Sequence, residues 1–270
     1  MPELPEVETI KLQLEKLIVG REILAIETDT PKMLQPSQAA VQKAVIGATI
    51  VKIVRRAKLI QFYFDNGRVL IGHLKLTGRL LVRKKLDPKD DWQRIIISLS
   101  GGLELRFADL RKFGWLKLIT DESELIKMLG EYGSEADQIT LKEFGKILAK
   151  TARPIKVVLM DQVKISGIGN IYAADALNLA KIEPRRPAKN LNPGEQKALQ
   201  EAILKVLKLG IKFGGASDQF YLDALGEKGH YQEHFLVYNR QGEKCFNCGS
   251  LIKKIRLAGR GTYFCPACQR

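Results

Sequence analysis

Four cysteines carry the most direct chemical signal in the chain. All lie in the last 26 of 270 residues, as Cys245-x2-Cys248 and Cys265-x2-Cys268, with 16 residues between the pairs. Two such pairs at this spacing read as a tetrahedral zinc site. Four thiolates leave no open coordination position, so the expected metal is one structural Zn²⁺; two redox dithiols are the competing reading. Between the pairs, LIKKIRLAGRGTYF reads as a hairpin with Gly259 and Gly261 flanking Arg260 at its turn. An arginine on a rigid hairpin can grip a phosphate with two parallel hydrogen bonds; a solvated surface arginine is the alternative. A second backbone-binding candidate is Gly167-Ile168-Gly169-Asn170, ahead of a predicted helix. Amides at a helix N-terminus bind phosphate, and Asn170 is placed to cap the helix or to contact the phosphate itself. A plain capped helix competes with that reading.

The other end of the chain raises a different question. MPELPEVE holds three glutamates and no base, in a protein with 44 Lys and Arg against 30 Asp and Glu. A helix starting at Leu4-Pro5-Glu6 accounts for part of this. Proline suits the first helical turn, and Glu6 and Glu8 lie near the positive end of the helix dipole. Pro2 and Glu3 precede that helix and are left unexplained by it.

The elements that position these residues change character along the chain. Val7, Ile10, Leu14, Leu17 and Ile18 follow helical spacing up to Gly20. From Arg21 to Ile119 the pattern is mostly strand. Asp65-Asn66-Gly67 and Gly101-Gly102 mark two hairpins. Several short strands at close spacing predict an antiparallel sandwich or barrel. Beyond that the chain turns helical. A short helix is expected over 121–129, a linker over 130–137, and a capping box at Thr140–Glu143. Asn192-Pro193-Gly194-Glu195 opens another helix that Gly210 is placed to end.

Length allows one large or two ordinary domains. The formal charge of +14 and pI near 9.6 point to a polyanionic partner, nucleic acid first. No apolar run suggests a membrane span, and the charged first twenty residues lack a signal-peptide core. The expected compartment is therefore the cytoplasm, with nucleoid association through DNA.

MPELPEVET, RRAKL (Arg55 to Leu59), DLRKFG (Asp109 to Gly114), GIGNIYAADAL and the four-cysteine finger, in that order, resemble formamidopyrimidine-DNA glycosylase. The resemblance runs from residue 2 to residue 268. It implies an α+β multidomain fold. An N-terminal antiparallel β-sandwich flanked by helices (residues 1–133) would carry catalysis. A helical helix–two-turn–helix domain (134–236) and a β-hairpin zinc finger (237–270) would follow, with DNA in the cleft between the domains. The implied activity is a bifunctional DNA glycosylase and AP lyase for oxidised purines, acting as a monomer on damaged double-stranded DNA.

The resemblance also assigns a use to Pro2. Removal of Met1 would present Pro2 as a free secondary amine, which titrates near 7.7–8.0 as α-amino groups do. The neutral amine would attack the damaged nucleoside and form an imine. Glu3 would assist proton transfer, and Glu6 would position the lesion or the amine. Lys58 would contact phosphate and act as a general acid. Arg260 and Asn170 would clamp phosphates, with Lys156 and His73 adding contacts. Leu76, Arg111 and Phe113 would fill the void left by a flipped base, where the family usually has Met at position 76. Asp175 stands where the family usually has Glu. The segment 214–229 matches the region where the family recognises the flipped purine. Two other readings stand beside this one: an endonuclease VIII-type glycosylase for oxidised pyrimidines, and a zinc-ribbon DNA-binding protein without chemistry.

Overall fold

The computed structural model describes all 270 residues, in two compact units. The first comprises Met1–Leu129 together with Phe213–His230, and the second Gly130–Lys212 together with Tyr231–Arg270.

The first unit opens with α1 (Leu4–Ile18), whose Leu4, Val7, Ile10, Leu14 and Ile18 form one buried face. Gly20 ends it with a φ of +83°, a conformation that costs glycine least. The strands are β1 (Ile23–Thr28), β2 (Leu34–Gln35), and, after α2 (Gln38–Val45), β3 (Ile50–Arg56), β4 (Leu59–Phe64), β5 (Val69–His73), β6 (Gly78–Lys84), β7 (Gln93–Leu99), β8 (Leu103–Asp109) and β9 (Trp115–Ile119). They form a four-stranded sheet, β1-β7-β8-β6, and a five-stranded sheet, β2-β9-β5-β4-β3. Every pairing in them is antiparallel except the two-residue β2–β9 contact. Ile26, Leu80, Ile95, Ile97, Leu105 and Phe107 of one sheet share a core with Ile53, Ile60, Phe62, Leu70 and Leu116 of the other and with α1 and α2. This is the expected sandwich. Both hairpin signals hold: Tyr63 pairs with Val69 across Asn66-Gly67, and Leu99 pairs with Leu103 across the two glycines. α3 (Glu122–Gly130) follows.

The second unit is mainly helical. β10 (Ser134–Glu135) pairs with β11 (Ile165–Ser166), and α4 (Leu141–Ala149) and α5 (Ile155–Leu159) lie between them. α6 (Asn170–Leu179) packs on α7 (Pro193–Lys212), and the hairpin β12 (Lys253–Leu257) with β13 (Arg260–Phe264) closes the chain. Thr140 caps α4 as expected. The Glu143 carboxylate instead meets the Ser134 hydroxyl. At α7 the capping box is complete, with Glu195 N–H donating to Asn192 Oδ1 and Asn192 N–H to Glu195 Oε2, both at 2.9 Å.

Two local expectations are corrected. α7 runs through Gly210 to Lys212, because Gly210 is buried on the helix's apolar face and the turn waits for Gly214 at φ +68°. Arg260 is not at the centre of the finger turn. Ala258 and Gly259 make the turn with positive φ, and Arg260 opens β13 opposite Leu257.

Candidate active site

The start of α1 is built around two buried glutamates. Glu3, 2 % exposed, is the N-cap. Its N–H donates to Glu6 Oε2 at 2.7 Å, which closes a capping box. The other Glu6 oxygen accepts the Ala216 N–H at 2.8 Å. One carboxylate thus joins the peptide next to Pro2 to the 213–230 segment of the same unit. Tyr221 adds a bond from its hydroxyl to the Glu6 carbonyl at 3.5 Å. Burial, with Glu6 and Asp223 beside it, holds the Tyr221 phenol well above its ordinary pKa, so it remains a donor. Pro2 is buried, and Met1 before it is half exposed.

The rest of that segment is tied down by side chains. Gln13, on α1, donates to Asp223 Oδ2 at 2.6 Å and accepts from Ala224 N at 2.8 Å. Arg79 reaches the Phe220 carbonyl at 2.6 Å, and Arg83 reaches Leu225 at 2.8 Å.

Lys58 and His73 sit together at one end of the five-stranded sheet. Leu59 pairs with His73, and Lys58 is 4 % exposed. His73 Nδ1 accepts the Lys75 N–H at 2.9 Å. That bond fixes the ring proton on Nε2. Burial, then the charges of Lys75 and Lys58, pull the His73 pKa down to about 3. His73 therefore offers a neutral N–H donor, which suits a hydrogen bond to phosphate.

Leu76, Arg111 and Phe113 lie on two loops organised by Asp109, a residue the sequence reading did not single out. Its buried carboxylate accepts the N–H groups of Arg111 (3.1 Å), Phe113 (2.9 Å) and Gly114 (2.7 Å), and a short bond from the Thr77 hydroxyl. Thr77 follows Leu76, so one carboxylate sets both loops. Lys75 and Lys112 each adopt a positive φ, 54° and 56°. Non-glycine residues in that region mark strain held by their surroundings. Phe113 is 51 % exposed, with the Arg111 guanidinium 4.7 Å above its ring. A cavity of about 500 Å³ is lined by Met1, Leu76, Phe113 and Trp115 together with Lys32, Lys75 and Lys112. The residue preceding Pro2 thus shares a cavity with two of the three void-filling candidates.

In the second unit, Lys156, Asn170 and Arg260 converge on the finger turn. Lys156 is 1 % exposed and donates from Nζ to Gly261 O (3.2 Å) and Thr262 Oγ1 (2.9 Å). Asn170 Nδ2 donates to the same Gly261 carbonyl at 3.1 Å. Gly169, not Asn170, is the α6 N-cap, because the Asn170 amide is engaged at the finger. Its Oδ1 is buried without a protein partner. Arg260 is exposed and lines a cleft of about 400 Å³ with Arg153, Lys156 and Gln162. Behind this, buried Asp175 accepts from Val237 N (3.0 Å), Tyr238 N (3.2 Å) and Tyr231 Oη (3.2 Å). Burial pushes its pKa up to about 6 against those bonds.

Cys245, Cys248, Cys265 and Cys268 bring their Sγ atoms within 4.8 Å of one another, with 3.9 Å between 245 and 268 and 3.4 Å between 248 and 265. A tetrahedron with Zn–S bonds of about 2.3 Å has S···S edges near 3.8 Å. Four thiolates at this separation fit one structural Zn²⁺.

The four-cysteine cluster under a basic hairpin marks the chain as a zinc-finger protein. Comparison with known proteins narrows this. Residues 1–116 match the formamidopyrimidine-DNA glycosylase N-terminal domain, 132–221 its H2TH domain, and 242–270 the zinc finger found in FPG and IleRS. The formamidopyrimidine-DNA glycosylase of Herpetosiphon aurantiacus is 41% identical over 273 residues, covering 100% of both chains. That of Streptococcus pneumoniae is 38% identical over 274 residues, covering 100% of this chain and 99% of its own. Lactococcus lactis Fpg in complex with abasic-site DNA superimposes with a TM-score of 0.93 at 37% identity, covering 99% of each chain. A mutant of that protein bound to Fapy-dG DNA gives the same TM-score and identity over 100% of each chain. The chain belongs to the formamidopyrimidine-DNA glycosylase family.

Proposed function

We propose that this protein is a base-excision repair enzyme that removes oxidised purines, 8-oxoguanine and formamidopyrimidines, from duplex DNA and nicks the strand. The buried Pro2–Glu3 pair at the head of α1, joined through the Glu6 carboxylate to the 213–230 segment, carries this reading. A pure DNA binder needs no such arrangement.

Catalysis starts once Met1 is removed, because with Met1 attached the Pro2 nitrogen is a tertiary amide. The flipped nucleotide presents C1′ to the Pro2 amine. The amine lone pair forms the C1′–N bond as the base leaves with the glycosidic pair and takes up a proton. Glu3 exchanges protons as the attacking nitrogen loses its N–H proton, O4′ gains one and the sugar ring opens to the iminium ion, in which the nitrogen is positively charged and carries no proton. The imine acidifies the C2′ proton. Its removal expels the 3′ phosphate by β-elimination, and δ-elimination then expels the 5′ phosphate. Hydrolysis of the imine frees the amine, leaving a one-nucleotide gap with a phosphate at each side. Lys58 serves as phosphate contact and general acid, and His73 donates its Nε2–H to the backbone. Leu76, Arg111 and Phe113 fill the vacated stack. Arg260, Asn170 and Lys156 hold phosphates at the finger. The zinc stabilises the finger and takes no part in the chemistry. The protein acts as a single chain in the cytoplasm, on the nucleoid. No helix is long and apolar enough to cross a membrane.

The deciding experiment incubates the protein with a duplex bearing one 8-oxoguanine opposite cytosine and adds borohydride. A covalent adduct mapped to an N-terminal Pro2 is the expected result. Processed, zinc-loaded protein that gives neither adduct nor cleavage overturns the purine reading. A thymine glycol duplex run in parallel tests the pyrimidine alternative.

A further inference from the structure

Arg55 and Glu8 belong to the motifs at the two ends of the catalytic apparatus, yet the chemistry above uses neither. Arg55 Nε donates to Glu8 Oε2 at 2.6 Å, and Arg55 Nη1 donates to the Ala57 carbonyl at 3.1 Å. The side chains are 6 % and 20 % exposed, so the pair is largely out of water. Glu8 sits on α1, the helix whose cap is Glu3. Arg55 sits next to the two-residue turn Ala57–Lys58, which follows directly on the Arg56–Leu59 pairing. Ala57 is fully buried and takes a φ of +54°. A left-handed alanine is disfavoured about tenfold or more, so the turn persists only because its surroundings hold it.

We infer that the Glu8–Arg55 ion pair is a positioning device for Lys58, fastening the strained turn that presents it to α1, the helix that follows directly on Pro2 and Glu3. The inference rests on the catalytic reading of Lys58 above. Its rival is a plain staple between α1 and β3, which would stabilise the unit without acting through Lys58.

Removing Arg55 alone would leave the part-buried Glu8 carboxylate without its cation, so the pair is removed together as Glu8→Gln with Arg55→Met. Single-turnover excision from the 8-oxoguanine duplex is measured in this variant, in Lys58→Ala, in the two combined, and in the pair variant with Ala57→Gly added. Unfolding midpoints and duplex affinity are measured alongside. Expected are a roughly tenfold slower excision for the pair variant, with affinity within about twofold, and no further loss when it is placed in the Lys58→Ala background. Glycine at 57 takes the positive φ freely, so it should return the rate to within about threefold of the parent. Multiplicative losses with Lys58→Ala, no rescue by Ala57→Gly, or a pair variant as fast as the parent each overturn the inference. A Lys58→Ala protein as active as the parent sinks the Lys58 reading and the inference with it. A slow Lys58→Ala beside an unaffected pair variant sinks the inference alone.

Discussion

Asp109→Asn is the substitution that tests whether one carboxylate sets both loops proposed to fill the void. Asp109 accepts four hydrogen bonds: Oδ1 from Thr77 and Arg111, and Oδ2 from Phe113 and Gly114. Asparagine has one acceptor oxygen. Its best placement keeps that oxygen on the Phe113 and Gly114 amides and turns the NH₂ towards Thr77 and Arg111. The Thr77 hydroxyl can rotate to accept. The Arg111 N–H loses one acceptor but keeps Thr77 Oγ1 at 3.1 Å. Two bonds therefore fall from charge-assisted to neutral, one reverses and one is lost. At about 1 kcal/mol for each bond weakened or lost, the cost is about 2–4 kcal/mol. Alanine orphans the Phe113 and Gly114 amides and takes an acceptor from the Thr77 hydroxyl and the Arg111 N–H, at a cost of about 3–5 kcal/mol.

Two assays read this. Urea unfolding gives the stability change. A 2-aminopurine placed opposite the lesion reports void filling by its fluorescence, and excision is measured in parallel on the duplex and on a preformed abasic single strand. The single strand has no partner base to support. Asp109→Asn should weaken the 2-aminopurine response and slow duplex excision about tenfold or more, while single-strand cleavage by Pro2 changes little. An unfolding free energy within about 0.5 kcal/mol of the parent, with the fluorescence response intact, would refute the reasoning. Equal losses on duplex and single strand would show a general defect and refute it as well.

Four further outcomes follow from other groups. The Asp175 carboxyl is raised from 3.8 to about 6, so between those pH values the native state holds a proton that the unfolded chain has released. Its contribution is present below pH 3.8 and lost by pH 6, worth about 3 kcal/mol at about 1.4 kcal/mol per pH unit. Asp175→Asn keeps the Val237 and Tyr238 bonds on its single oxygen and reverses the Tyr231 bond, its NH₂ donating to Oη, so its stability relative to the parent should rise by that amount between pH 4 and pH 7 in urea titrations. His73 runs the other way. Its pKa falls from 6.5 to about 3, the unfolded state binds the proton first, and stability drops as pH falls through that window; His73→Gln should flatten the acid limb of the unfolding profile. Removing zinc with a chelator should release the finger, and Arg260→Ala should lower the slope of log affinity against log salt by about 0.9, the worth of one phosphate contact.

The parts of the site that were legible in the sequence share one property: their partners are close along the chain. The cysteine ligands are two local pairs, and the turns at Asn66-Gly67 and Gly101-Gly102 need only their own backbone preference. Leu76, Arg111 and Phe113 came with contiguous motifs. What stayed hidden depends on groups far apart in sequence. Asp109 reaches back 32 residues to Thr77, and nothing in DLRKFG marks its aspartate as the organiser of a second loop. The return of Phe213–His230 to the first unit rests on Glu6, Gln13, Arg79 and Arg83, none of which lies near it in sequence. Asn170 reads as a cap by local rules and loses that role to a carbonyl 91 residues away.

The acidic opening of a basic protein follows from the same long-range bonds. Its three glutamates have three different tasks, and each faces a partner that an uncharged side chain would serve poorly. Glu3 caps the helix that begins beside Pro2, where the positive end of the dipole favours a carboxylate. Glu6 spends its two oxygens on two backbone amides, one at Glu3 and one at Ala216. Glutamine in its place has a single acceptor and must break one of those bonds. Glu8 pairs with Arg55 in a largely buried setting, where either charge alone would be costly. Within one unit, α1 thus follows directly on Pro2, the proposed nucleophile, and carries along its length the contacts to the 213–230 segment and to the Lys58 turn. A helix chosen only for its core face would need Leu4, Val7, Ile10, Leu14 and Ile18. The glutamates between them are accounted for by position relative to Pro2, and that is why the charge sits here and not elsewhere in the chain.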